Sequence, residues 1–167
     1  MNRRYVVPYR RKRDGLTDYR QRMKLLSSHT PRLVVRKSNT GLLLQIVEYS
    51  PSGDRVLFES STRELQKHGW KAGTGNTPAA YACGLLLASK MKGKVSSCIV
   101  DLGLQSVTKG SRLFGAVKGV ADGGIQVPLG PENVPSLDRC KGVHLSKSKG
   151  FDSMPIIIEK LRKELKV

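Results

Sequence analysis

The sequence predicts an α/β fold: a mixed sheet with an antiparallel three-stranded meander plus at least one further strand, helices packed on one face, and an extended basic N-terminal arm. Three observations carry this expectation. Residues 32–60 hold three aliphatic, β-branched runs separated by turn signals. Residues 77–94 and 110–124 show small and apolar residues at helical spacing on either side of a short apolar run. The charge is large and uneven. Lys and Arg number 30 against 13 acids, a formal net charge of +17. Residues 1–37 carry twelve of those cations against two acids, residues 139–167 eight against three, and residues 38–138 ten against eight. A nearly neutral middle, long enough to bury a core without disulfides, is flanked by basic ends.

Residues 1–15 read as an extended arm, opened by Pro8 and closed by the Asp14-Gly15 turn signal. Thr17 is an N-cap candidate for a short helix over residues 18–27, whose Tyr19, Met23 and Leu26 recur at helical spacing. The run "PRLVVRKS" reads as a first strand, "NTG" as a hairpin signal, "LLLQIVEYS" as a second strand, "SPSGD" as a turn and "RVLFES" as a third strand. Alternation puts Leu33 and Val35 on one face of the first strand and Arg32, Val34 and Arg36 on the other.

Next comes "TGNTPAAYACGLLLASKMKGK", a helix with Thr77 as cap and Pro78 in its first turn. "SSCIVDLGL" reads as a short buried strand ending at Asp101. "GSRLFGAVKGVADGG" is a second helix with Leu113, Phe114, Val117 and Val120 on one face, and "IQVPLG" an extended segment. The expected organisation is an arm over residues 1–15, an α/β domain over 16–130, a linker over 131–153 and an amphipathic C-terminal helix over 154–167. That helix bears an apolar stripe of Ile157, Ile158, Leu161 and Leu165.

The chemistry-bearing residues point away from catalysis. Cys83, Cys98 and Cys140 are widely spaced, with no C-x-x-C and no zinc spacing, and read as reduced thiols of an intracellular, cytoplasmic protein. His29, His68 and His144 stand in polar loops without pairing. Gly110 and Gly115 have P-loop spacing, but Ala116-Val117 replace the required Lys-Ser/Thr, so helix packing explains them better. Asp101, an acid at the end of a buried strand, is the position of a metal ligand in RNase H-like nucleases. A two-metal site needs several converging carboxylates, and only Glu48 and Glu59 lie on nearby strands. Trp70 reads as a loop anchor. No metal, cofactor or catalytic set is expected. "MNRRYVVPYRR" lacks an apolar signal core, and "AAYACGLLLA" is too short to cross a bilayer. A membrane-surface arm would want bulky apolar residues on an amphipathic helix, which residues 1–15 do not supply.

A basic arm neutralises phosphates and releases counterions. Tyrosines set between its arginines add stacking surfaces for unpaired bases. The candidate RNA contacts are Arg3, Arg4, Tyr5, Tyr9, Arg10, Arg11, Lys12, Arg13, Thr17, Tyr19, Arg20, Arg22, Arg32, Arg36 and Lys37. A basic DNA-binding protein is the alternative of similar chemistry, and a metal-dependent RNase H-like nuclease using Asp101 the alternative of a different class.

The ordered segments "RRYVVPYRRKRDGLTDYRQRMKLL", "PRLVVRKSN", "QIVEYSPSGD", "NTPAAYACGLLLA" and "VDLGL" resemble the large-subunit ribosomal protein eighteen family, the 5S-rRNA-binding proteins of the central protuberance. The resemblance spans roughly residues 3–130, and the length is similar to that of the archaeal branch. It implies a sheet of three strands plus one, 5S rRNA as main ligand, 23S rRNA as second contact, and neighbouring ribosomal proteins of the central protuberance as partners. Its arm motif falls on Arg10, Arg11, Lys12, Arg13, Gly15, Thr17, Asp18, Tyr19 and Arg20, with Arg32 and Arg36 following on the first strand. Leu16 stands where the family commonly has a lysine, one cation fewer.

Overall fold

Four strands form one sheet in the order β3-β2-β1-β4 in the computed structural model, which describes residues 6–145 and 150–165. In chain order the elements are α1 (Arg10–Arg13), α2 (Tyr19–Leu26), β1 (Arg32–Lys37), β2 (Leu42–Glu48), β3 (Arg55–Ser61), α3 (Thr77–Met91), β4 (Ile99–Asp101), α4 (Arg112–Asp122), α5 (Leu137–Lys141) and α6 (Ser153–Leu165). β1, β2 and β3 are antiparallel neighbours, and β4 joins β1 in parallel. The expected meander and the further strand are both present.

Strand alternation decides which side chains meet the helices. Leu33 pairs with Ile46, Val35 with Leu44 and Leu33 with Val100, and these aliphatic pairs form the floor of the core. The intervening residues, Arg32, Val34, Gln45 and Val47, face the other way. A bulge between Ile46 and Val47 shifts the register of β3, so that Val47 faces Val56.

The core helices α3 and α4 run side by side and lie against the sheet. Glycines permit their approach. A Cβ on Gly84 would sit 2.3 Å from the Ala116 carbonyl oxygen, and one on Gly119 would sit 2.2 Å from that of Tyr81. The backbones are therefore in direct contact. Gly115 abuts Thr77, the packing role that its sequence suggested, while Gly110 sits at φ +67° in the turn before α4. Helix α6 packs on α3 with Met154, Ile157, Ile158, Leu161 and Leu165 buried, the expected stripe.

Local details differ from the sequence reading. The arm is not wholly extended, because Arg10–Arg13 close a helical turn. Asp18, not Thr17, caps α2, its carboxylate accepting from the Arg20 and Gln21 amides. An ionised oxygen facing the helix amides outdoes a hydroxyl there. Asn76, not Thr77, caps α3, through the Ala79 amide at 2.8 Å. Residues 131–153 are more than a linker. They hold a 3₁₀ turn at Pro131–Asn133, the helix α5 and a second 3₁₀ turn at Val143–Leu145, and Cys140 is fully buried. Polar caps and turns in this stretch hide a short apolar anchor that periodicity cannot detect. All three cysteines are free and buried. Burial pushes the thiol of Cys83 up to about 12 and those of Cys98 and Cys140 up to about 11. Among the described residues no helix is long and apolar enough to cross a membrane.

Candidate nucleic-acid interface

The basic segment folds back on itself. Tyr9 accepts two backbone bonds that start α1, from the amides of Lys12 and Arg13. Gly15, at φ +64°, turns the chain where a side chain would be strained. The amides of Leu16 and Thr17 then return to the Arg11 carbonyl at 2.8 and 3.2 Å. Arg11 Nε donates to Thr17 Oγ1 at 2.9 Å, and the Tyr9 and Tyr19 rings meet at 5.2 Å between centroids. Tyr19 thus packs on Tyr9, while Met23, its expected helical neighbour in a core-facing stripe, is 68% exposed. Neither α1 nor α2 buries a residue. Arg10, Arg11, Lys12, Arg13, Arg20 and Lys24 project into solvent from one locally hydrogen-bonded module. The module is preorganised, which lowers the ordering cost of binding a polyanion.

Arg22 and Arg32 behave differently from the exposed cations. Arg32 is only 3% exposed. Its Nη1 donates to Asp101 Oδ2 at 2.8 Å and its Nη2 to Asp54 Oδ2 at 2.7 Å. Arg22 Nη2 donates to both Asp54 oxygens at 2.9 Å. Arg36 continues the series, with Nη1 on the Asp101 carbonyl at 3.2 Å and Nη2 3.5 Å from Asp101 Oδ1. This run of alternating charges ties α2 to the β2–β3 turn, to β1 and to β4. Burial raises the Asp54 carboxyl, but the hydrogen bonds and charges of Arg22 and Arg32 outweigh it and hold the group below its ordinary value. The expectation that Arg32 is a surface RNA contact is therefore corrected. The two aspartates claim it because an unpaired guanidinium in this position would be costly. Asp54 was not singled out from the sequence, where it looks like any turn acid after Ser-Gly.

Between the N-terminal module and the outer sheet face lies a groove of about 890 Å³. Val34, Val47 and Val56 line its sheet side, and Leu16, Leu25 and Gln21 its helical side. Arg11 and Arg36 also line it, and Lys37 stands exposed at the end of β1. The structure therefore brings together Tyr9, Arg10, Arg11, Lys12, Arg13, Thr17, Tyr19 and Arg20, with Arg36 across the groove, whereas Lys37 falls on the opposite face of β1, with Leu33 and Val35. Arg3, Arg4 and Tyr5 lie outside the described residues.

Asp101 is occupied by this arrangement. Besides Arg32 it accepts from the Gly103 amide at 2.9 Å, in the turn that follows β4. Glu59 accepts from Gln45 on the outer face instead of joining it. Among the described residues no three His, Cys, Asp or Glu side chains come together as a metal site. Trp70 is buried, with Nε1 donating to the Gly73 carbonyl at 3.3 Å, and serves as an anchor and not as a stacking platform.

Comparison with known proteins finds relatives over most of the chain. The family model described as "Ribosomal large subunit proteins 60S L5, and 50S L18" matches residues 3–97 and 90–130. The chain is 46% identical over 144 residues to the large ribosomal subunit protein uL18 of Methanoregula boonei, covering 86% of this chain and 83% of that one. It is 48% identical over 146 residues to the uL18 protein of Caldivirga maquilingensis, covering 86% and 70%. It is 45% identical over 144 residues to that of Korarchaeum cryptofilum, covering 86% and 74%.

Proposed function

The chain belongs to the uL18 family of large-ribosomal-subunit proteins, and we propose that within that subunit it holds the 5S rRNA, with the 23S rRNA as a second contact. As a member of this family it is a structural constituent of the ribosome and not an enzyme. One observation carries the RNA reading: six exposed cations on an ordered module, standing over a groove whose far rim adds Arg36. Phosphates would sit on the exposed Arg10, Arg11, Lys12, Arg13 and Arg20. Tyr9, 74% exposed and held in a tilted contact with the Tyr19 ring, offers ring surface to a base. Arg22 and Arg32 shape the platform from within. Neighbouring proteins of the central protuberance would then meet surfaces away from the groove.

The test is titration of a 5S rRNA transcript, and of a duplex DNA of equal length, across a series of salt concentrations. The quadruple variant Arg10→Gln, Arg11→Gln, Lys12→Gln, Arg13→Gln should flatten the slope of log affinity against log salt by about 3, at roughly 0.7–0.9 per phosphate. A slope identical to that of the wild type would remove the module from the interface. Equal affinity for duplex DNA would favour a general polyanion binder over an rRNA protein.

A further inference from the structure

We infer that the groove between the N-terminal module and the outer sheet face receives an unstacked nucleotide of the bound RNA, its base directed inward and its phosphate held on the rim. This rests on the RNA reading of the same surface and adds how that surface distinguishes looped from paired RNA.

The lining is wrong for a phosphate alone and wrong for a duplex. Its floor carries an aliphatic strip beside the Arg32–Asp101 pair: Val34 and Val47 are nearly buried and Val56, opposite Val47 on β3, is 48% exposed. Leu104, 57% exposed, extends that wall on the far side. An aliphatic strip suits the face of a base and gives a phosphate nothing. The groove volume of about 890 Å³ is that of a small-molecule pocket, so an intact helix cannot enter, whereas sequence-reading proteins commonly take splayed, unpaired bases. Edge-reading groups are at hand. Gln21 lines the groove from α2 with a free amide among the described residues, and Arg36 from β1 is half exposed. The charges complete the complementarity. The acids within the groove are already engaged, Asp54 and Asp101 by arginines and Asp18 by helix amides. The exposed cation Arg11 lines its edge. A nucleotide is the ligand with both an apolar face and an anionic tail.

Dimethyl sulfate and hydroxyl-radical probing of the 5S rRNA transcript tests this, with wild type and with two variants that each fill the groove from a different wall, Val56→Trp and Leu104→Trp. Both positions are already exposed, and circular dichroism confirms that each variant is folded. Wild type should shield the Watson–Crick edge of at least one unpaired base. Each variant should restore its methylation and weaken binding about tenfold, the scale of one lost base contact, while the backbone footprint stays. Absence of any shielded base, or shielding that persists in both folded variants, overturns the nucleotide pocket. A wild-type protein that leaves no backbone footprint would overturn the RNA reading itself, a result separable from the first.

Discussion

Replacing Arg32 by Met separates two views of this arginine, and the structure sets the size of the effect. Arg32 is 3% exposed and makes charge-assisted bonds of 2.7 and 2.8 Å to two aspartates. Exposed ion pairs contribute about 0–1 kcal/mol, but removing one partner of a buried pair costs about 3–5 kcal/mol because the other charge stays behind. In Arg32→Met, Asp54 keeps Arg22, whereas Asp101 keeps only the Gly103 amide and Arg36 at 3.5 Å. A loss of about 3 kcal/mol in urea unfolding at neutral pH is expected. The double variant Arg32→Met, Asp101→Leu should recover part of it, since an apolar pair can replace a buried ionic one, less the lost bond to Gly103. RNA titration over a salt series reads the other view. A residue that neutralises a phosphate contributes roughly 0.7–0.9 to the salt slope, and Arg32 should contribute none. Stability within about 1 kcal/mol of wild type, together with a slope reduced by about one, would refute the internal role assigned to this arginine.

Two further outcomes follow from the same geometry. Asp54 is held below the ordinary carboxyl value of 3.8, so its ion pairs stabilise the fold fully above that pH and the contribution disappears as pH falls through the lower folded value. The stability difference between wild type and Asp54→Asn should therefore be constant from pH 5 to 7 and shrink in acid titration below about 3.8; a difference that grows in acid contradicts the assignment. Gly119→Ala should destabilise the protein by about 1–3 kcal/mol through overpacking, since its Cβ would strike the Tyr81 carbonyl, and the roughly 1 kcal/mol gain in helix propensity does not compensate fully. Gly73→Ala, with nothing within 4 Å of the added carbon, is the control, and equal melting temperatures for the two variants would show that α3 and α4 do not need this contact.

The sequence by itself determined the local and the periodic. Two-residue alternation in β1 assigned Leu33 and Val35 to the core and Arg32, Val34 and Arg36 to the other face, and the register agrees. Helical periodicity found α3, α4 and the buried stripe of α6. Charge distribution marked the basic end, and the ordered motifs matched the family to which the chain belongs. These are properties of single segments, and each segment carries its own signal. Only the tertiary structure decided which cations are free. Arg22 and Arg32 look alike in sequence to Arg10, Arg11 and Arg13. What divides them is the position of Asp54 and Asp101, which lie 22 and 69 residues away from Arg32. No local pattern encodes such a pairing, because it exists only once β1 lies between β2 and β4 and α2 stands over the sheet. The groove has the same origin, being the space left where a module with no buried residues faces a sheet whose outer row is part aliphatic and part ionic.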